Sequence, residues 1–432
     1  MLDLIDGREQ NTPVHIPRPK PVGSHEDLSG HVRAIVDDVR LRGDDALLEH
    51  TAKLDGVRLE PPDVIVDKAT ITHARGLVRP ELIDALEVMG ERLRRTCERQ
   101  IQTPWLERSV DEFVGELVRP LRRVGVYVPG GRAAYPSSVV MAVVPARVAG
   151  VEAVAVATPP GPHGEVSEAV LAACEVTGVD EVYRMGGAQA IAALAYGTQT
   201  VRPVEKIVGP GNVYVTLAKR MVQGWVGVDS EAGPTEIAIV ADSTADPDVL
   251  AADLVAQAEH GPHGSHVLIA WDETVVERVC TALEFVVARH ERPDDVTNAL
   301  IEGGRAVLVR GVGHALETAN AFAPEHLELA LDNAEDVLDD VRNAGAVFVG
   351  ASSPVSVGDY VAGTNHVLPS GGTARWSSGL SVGDFTKRIY VSGLELSALE
   401  RLAPHVEALA EAEGLNAHAR AVQARLKGRT RT

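Results

Sequence analysis

From Arg122 onward the chain repeats one pattern: short runs rich in β-branched residues alternate with helical stretches. Residues 124–128, 153–157, 181–183 and 206–208 have strand character, and 137–149, 165–176 and 189–196 between them are helical. Such βαβ alternation requires parallel sheets covered by helices. A second series of strands follows at 236–240, 266–270, 306–309 and 346–349, and the Gly-Pro segment 230–234 separates the two. The expected fold class is therefore α/β, with two incomplete Rossmann-like, doubly wound domains, each too short for a full dinucleotide fold.

The rest of the chain is organised around that pair. Residues 1–25 carry Pro13, Pro17, Pro19 and Pro21 and read as an extended arm. Between residues 26 and 102 apolar residues recur at helical spacing, as in Leu28, Val32, Ile35, Val36 and Val39. After about Phe385 strands are expected to stop, and 394–426 reads as a helical tail without an obvious partner of its own. The expected division places 26–121 with 236–384 in one domain, 122–235 in the other, and 385–432 in the tail.

The chain has 432 residues, 45% hydrophobic and 24% charged, as a soluble globular protein does. A formal charge of −20 argues against binding nucleic acid or an anionic membrane surface. The uncharged run 133–146 contains prolines and is shorter than the ~20 residues a bilayer span needs. The first residues lack the pattern of a signal peptide. Cys97, Cys174 and Cys280 lie far apart, without a CxxC pair, so structural thiols in a reducing cytoplasm are expected.

Four segments carry candidate chemistry. Gln257 and His260 stand three residues apart on one helix face, and an amide oxygen beside an imidazole suits a borderline cation such as zinc. The same residues would also suit an ordinary helix C-terminus ended by Gly261-Pro262, and spacing alone favours that. Glu325 and His326 adjoin in Ala323-Pro324-Glu325-His326-Leu327, at a sharp turn into an apolar run, where one group can take a proton while the other activates water. Asp359 and His366 lie among Gly358 and Gly363, so backbone can approach a ligand closely there. Pro129-Gly130-Gly131 and Gly209-Pro210-Gly211-Asn212 each follow a strand and offer N–H groups to an anion, although neither matches a dinucleotide or Walker pattern.

Taken in order, seven blocks resemble the histidinol dehydrogenase family from about residue 20 to about 425. They are Gly125-Val126-Tyr127-Val128-Pro129-Gly130-Gly131, Gly186-Gly187-Ala188-Gln189-Ala190, Gly209-Pro210-Gly211-Asn212, Ala232-Gly233-Pro234-Thr235-Glu236, Gln257-Ala258-Glu259-His260-Gly261, Ala323-Pro324-Glu325-His326-Leu327 and Gly363-Thr364-Asn365-His366. The resemblance implies oxidation of L-histidinol to L-histidine in two NAD-linked steps, the last in histidine biosynthesis. It implies Glu325 and His326 as catalytic residues. A zinc site would use Gln257, His260, Asp359 and His418; these would also touch substrate, with Thr235, Glu325, His326, His366 and Glu413. NAD contacts would be Tyr127, Gln189 and Asn212. It places zinc and catalysis on the 236–384 domain and NAD on the 122–235 domain. The helical tail, bearing Glu413 and His418, would cross to the other subunit of a homodimer. The family more often has Ser at the position of Thr235. Two alternatives compete: a zinc hydrolase in which Glu325 activates water without NAD, and a binding protein that has lost its chemistry.

Overall fold

The structure is a computed structural model that describes residues 1–19, 25–130, 134–229 and 233–427. Gly131 of the first glycine turn, Ala232 and most of the 230–234 boundary lie outside the described residues. The chain opens with a strand, β1 (Asp3–Asp6), followed by helices α1 (His25–Arg42) and α2 (Asp44–Leu54), a short strand β2 (Ile65–Val66), and helices α3 (Lys68–Ala74) and α4 (Pro80–Arg99). A hairpin, β3 (Trp105–Arg108) and β4 (Glu112–Pro120), precedes the first alternating series.

That series runs β5 (Arg123–Tyr127), α5 (Pro136–Ala149), β6 (Ala153–Thr158), α6 (Glu168–Val176), β7 (Glu181–Arg184), α7 (Gly187–Tyr196), β8 (Lys206–Val208), α8 (Val213–Val222) and β9 (Gly227–Val228). The strands lie in the order β2-β7-β6-β5-β8-β9, with only β2 antiparallel. The chain reverses direction across the sheet between β5 and β8, which is the doubly wound arrangement. Side chains alternate as the pleat demands. Val124 and Val126 face one core with α3 to α6, while Tyr127, Ala155 and Tyr183 face another with α1, α2, α7 and α8.

The second series runs β10 (Glu236–Ala241), α9 (Pro247–Ala258), β11 (Ser265–Ala270), α10 (Glu273–Ala288), α11 (Pro293–Gly303), β12 (Gly304–Leu308), α12 (Val312–Phe322), β13 (His326–Ala330), β14 (Ala346–Val349) and α13 (Val355–Tyr360). Its sheet, β1-β12-β11-β10-β13-β14, is entirely parallel, and its direction reverses between β10 and β13. Ile237 and Ile239 pack against α9, α10 and α11; Ala238 and Val240 pack against α12 and against Val14 and Ile16.

Three expectations are corrected here. The helices of residues 26–100 cover the first sheet rather than joining 236–384: apolar periodicity shows that a helix has a buried stripe but not which sheet receives it. The N-terminal arm is a packed part of the second sheet, through β1, Val14 and Ile16. Strands do not stop at Phe385, because β15 (Thr386–Leu394) follows and pairs antiparallel with β4, ahead of α14 (Leu396–Ala412) and α15 (Asn416–Lys427). Residues 101–120 and 386–432 thus form a second compact unit, with Arg401 paired to Asp111 at 2.6 Å.

Cys97 and Cys174 are buried and none of the three cysteines is in a disulfide; burial pushes the Cys97 thiol up to about 11, so it is unreactive. No helix among the described residues is long and apolar enough to cross a membrane. Gly209 follows β8 with φ +112, and a Cβ there would stand 2.1 Å from the Tyr127 carbonyl oxygen. Gly209→Ala should therefore cost at least about 2 kcal/mol, because both the dihedral and the backbone approach exclude a side chain; chemical denaturation would measure it, and an unchanged midpoint would refute the argument.

Candidate active site

Parallel strands joined by helices give each edge of a sheet its own electrostatic character. Helices return antiparallel to the strands, so their C-terminal ends, with a partial negative charge, gather at the edge where strands begin. The candidate catalytic residues of the second sheet lie at that edge. Thr235 and Glu236 open β10, and Glu325 and His326 open β13, the two strands that flank the reversal point. Gln257 sits in the last turn of α9 and His260 just beyond it, which suits a cation.

Glu325 enters after a left-handed residue, Ala323 (φ 52), and Pro324, which turn the chain sharply out of α12. The carbonyl of Glu325 accepts from Ala346 N at 2.9 Å, and a Cβ on Gly345 would lie 2.6 Å from it, so only glycine fits beside it. Its carboxyl oxygen Oε2 accepts from Thr235 Oγ1 at 2.8 Å and from Glu236 N at 2.9 Å. Burial outweighs these two donors and pushes the carboxyl up to about 8. Gln257 Nε2 donates in turn to Thr235 Oγ1, which leaves the amide oxygen of Gln257 as the end able to ligate.

His326 is 4% exposed. Its Nδ1–H donates to the Glu236 carbonyl at 3.0 Å, and Nε2 is buried without a partner. This fixes the tautomer, with the lone pair on Nε2. Burial lowers the imidazole to about 4, so the ring is neutral above that pH. Asp359 Oδ1, 3.8 Å from Nε2, pulls in the opposite direction. Burial raises the Asp359 carboxyl, while the imidazoles of His326 and His260 draw it down. His366 donates through Nδ1 to the Asp359 carbonyl at 2.8 Å.

Thr235, Glu325, His326, Gln257, His260, Asp359 and His366 therefore occupy one region. The donor set of Gln257, His260 and Asp359 (amide oxygen, imidazole, carboxylate) fits a borderline divalent ion. Among the described residues no three His, Cys, Asp or Glu side chains form a complete metal cluster. Glu413 and His418 lie on the second compact unit, at the end of α14 and on α15, and are exposed.

The other site is a cleft of about 940 Å³ at the edge where strands of the first sheet end, lined by Tyr127, Pro129, Gly130, Gln189 and Asn212 among others. Helices α7 and α8 begin here, so their N-terminal N–H groups favour an anion such as a pyrophosphate. The Tyr127 hydroxyl accepts from Gly187 N at 3.1 Å, and Asn212 Oδ1 caps α8 by accepting from Tyr214 N at 3.0 Å. Gln189 is fully buried; its Nε2 donates to Asp55 at 3.0 Å, while its Oε1 is buried without a partner. Cleft size, helix ends and an unpartnered acceptor together fit a dinucleotide.

Sequence reading assigned no role to Asp55, Glu236 or Arg18. Asp55, raised to about 6 by burial, sits just past the end of a helix far from the glycine turns, and nothing local marks it. An acid opening the apolar run Glu236-Ile237-Ala238-Ile239-Val240 was the available signal for Glu236.

Comparison with known proteins places the chain in a family. The family model described as histidinol dehydrogenase matches residues 19–426. A histidinol dehydrogenase of Geobacter metallireducens is 48% identical over 91% of this chain and 91% of its own. One of Moorella thermoacetica is 44% identical over 98% of this chain and all of its own length (100%). A crystal structure of histidinol dehydrogenase from Elizabethkingia anophelis superposes with a TM-score of 0.91 at 34% identity, covering 99% of both chains. With sequence and fold matched over nearly all its length, this chain belongs to the histidinol dehydrogenase family, the oxidoreductases of histidine biosynthesis.

Proposed function

We propose that this chain performs a zinc-dependent, NAD-linked four-electron oxidation of L-histidinol, through L-histidinaldehyde, to L-histidine in the cytoplasm. The observation that carries the reading is His326: a buried, neutral imidazole held by Glu236, with an unpartnered Nε2 beside Asp359. That nitrogen takes the hydroxyl proton as the carbinol C–H bond breaks. Tyr127, Gln189 and Asn212 would help to hold NAD, which would supply the hydride acceptor for both oxidations. Gln257, His260, Asp359 and His418 would hold zinc, which would supply a Lewis acid that orients the substrate and lowers its amine's proton affinity.

The aldehyde must be hydrated before a second hydride can leave. Glu325 takes a proton from the attacking water while His326 returns its own to the carbonyl oxygen, and the freed Nε2 of His326 then takes a hydroxyl proton of the hydrate. Thr235 steers Glu325 through its hydroxyl, and its methyl narrows the pocket relative to serine. His366 and Glu413 complete the substrate contacts. The working form is a homodimer in which the helical tail carries Glu413 and His418 to the other subunit's site.

The deciding experiment follows NADH absorbance with zinc-loaded protein, histidinol and NAD. Two NADH per histidinol are expected, and His326→Ala should suppress both oxidations by at least about a hundredfold. Full metal loading without NADH would favour the hydrolase instead.

Glu325 yields a prediction of its own. The folded chain holds this proton more tightly than the unfolded chain, so the stability it contributes is complete below about pH 4.5 and lost as pH rises through about 8. Glu325→Gln should therefore raise the melting temperature at pH 8, and the gain should vanish toward pH 5. The same variant should slow aldehyde oxidation more than alcohol oxidation, and the wild-type aldehyde step should quicken as pH approaches 8. Equal loss in both oxidations would remove the assigned division of labour.

For the shared site, His260→Ala and His418→Ala should each be inactive alone. Mixed and allowed to exchange subunits, they should regain about a quarter of wild-type activity, since each hybrid dimer carries one intact site. No recovery after demonstrated exchange would exclude the shared site.

A further inference from the structure

The side chain of Arg18 reaches the floor of the catalytic pair from the N-terminal segment. Its Nε donates to Glu236 Oε1 at 2.5 Å and its Nη2 to Glu236 Oε2 at 3.2 Å. Nη2 also donates to the Phe322 carbonyl at 2.5 Å, and the guanidinium lies 4.0 Å from the Phe322 ring centroid. Glu236 is 2% exposed, so its carboxylate has no alternative in water; besides Arg18 it accepts from the backbone N–H groups of Gly371 and Gly372. A Cβ on Gly372, at φ +80, would stand 3.2 Å from Arg18 Nη1, which shows how closely that loop approaches the guanidinium.

Both targets are attached to the catalytic pair through main chain. The N–H of Glu236 holds Glu325 Oε2, and its carbonyl holds His326 Nδ1. Phe322 ends α12 and is followed by Ala323, Pro324 and then Glu325. One planar fork thus grips the two backbone segments that aim the acid and the imidazole, a geometry lysine cannot reproduce.

We propose that Arg18 is a positioning residue for Glu325 and His326, acting through the Glu236 carboxylate and the Phe322 carbonyl. It rests on the reading of that pair as catalytic. Without the guanidinium, the buried Glu236 carboxylate loses its counter-charge and is left to the Gly371 and Gly372 N–H groups, and the shift strains the first peptide of β10, where the ladder begins. His326 then loses the acceptor that keeps the proton on Nδ1, and the lone pair is no longer confined to Nε2. Of the residues expected to hold the substrate's nitrogen atoms, Gln257, His260 and Asp359 are not among the hydrogen-bond partners of Arg18, so turnover suffers more than binding.

The test compares Arg18→Ala and Arg18→Lys with wild type by NADH formation and by ¹⁵N NMR of histidine-labelled protein, with the His326 signal assigned by its absence in His326→Ala. Arg18→Ala should lose about a hundredfold in kcat, as misplacement of reacting groups by an ångström does, with KM for histidinol nearly unchanged. Millimolar guanidinium should restore part of the loss. Arg18→Lys keeps the charge and tests the fork itself, should the alanine variant not fold; it should lose about tenfold in kcat, and its His326 signals should move from the Nδ1–H tautomer toward a mixture. A wild-type His326 spectrum in Arg18→Lys overturns the proposal whatever the activity. So does a folded Arg18→Ala protein with kcat within twofold of wild type. If wild type makes no NADH from histidinol, the catalytic reading fails, and the tautomer measurement still decides the role of Arg18.

Discussion

Two hydrogen bonds to the main chain of Glu236, one received by Glu325 and one given by His326, join the second sheet to its chemistry. They are possible because Glu236 begins a central strand, β10, and Glu325-His326 begins its neighbour, β13, in fixed parallel register with Ile237 opposite His326. A side chain held only by other side chains can drift between rotamers. Here the tautomer of one group and the orientation of the other are set by the backbone of a buried parallel sheet, which is among the least deformable parts of a protein.

The two sheets present opposite electrostatic ends to their ligands. At the first sheet the cleft opens where strands finish and helices begin, so backbone N–H dipoles favour the negatively charged part of a dinucleotide. At the second, the catalytic edge is where strands begin and α9 ends, so backbone carbonyl dipoles favour a cation. Ligand sites of open parallel sheets ordinarily lie at the carboxyl ends of the strands; the second sheet inverts that habit. The inversion suits the metal proposed at Gln257 and His260 rather than a phosphate.

Much of this was readable in the residues. The strands at 123–127, 153–158, 236–241 and 265–270 are continuous apolar runs, as strands buried on both faces must be, and their alternation with helices led directly to two doubly wound sheets. Glu325-His326 stood out because a turn feeds a polar pair into such a run. By contrast, β15 exposes most of its length and reads as polar chain, and β1 is four residues long with a partner, β12, some three hundred residues away. The attachment of α1 to α4 was illegible because an amphipathic stripe does not name the surface it covers. Neither Arg18 nor the protonation of Glu325 had a local signal: both depend on burial created by distant segments, 218 residues away in the case of Arg18 and Glu236.

The placement of the N-terminal segment has a consequence for biosynthesis. The strands of the first sheet and the helices that cover it are drawn from residues 25 to 229, but Val367, Leu380, Val382 and Phe385 complete one of its two cores. The opening strand also finds its partner late: Asp3 to Asp6 pair with Arg305 to Leu308, and Arg18 meets a carbonyl 304 residues later. At about 5–20 residues per second, that strand waits tens of seconds, unpaired, for its partner to be made. The edge strand of the second sheet, and Arg18 behind it, are thus seated only once translation is well past the midpoint.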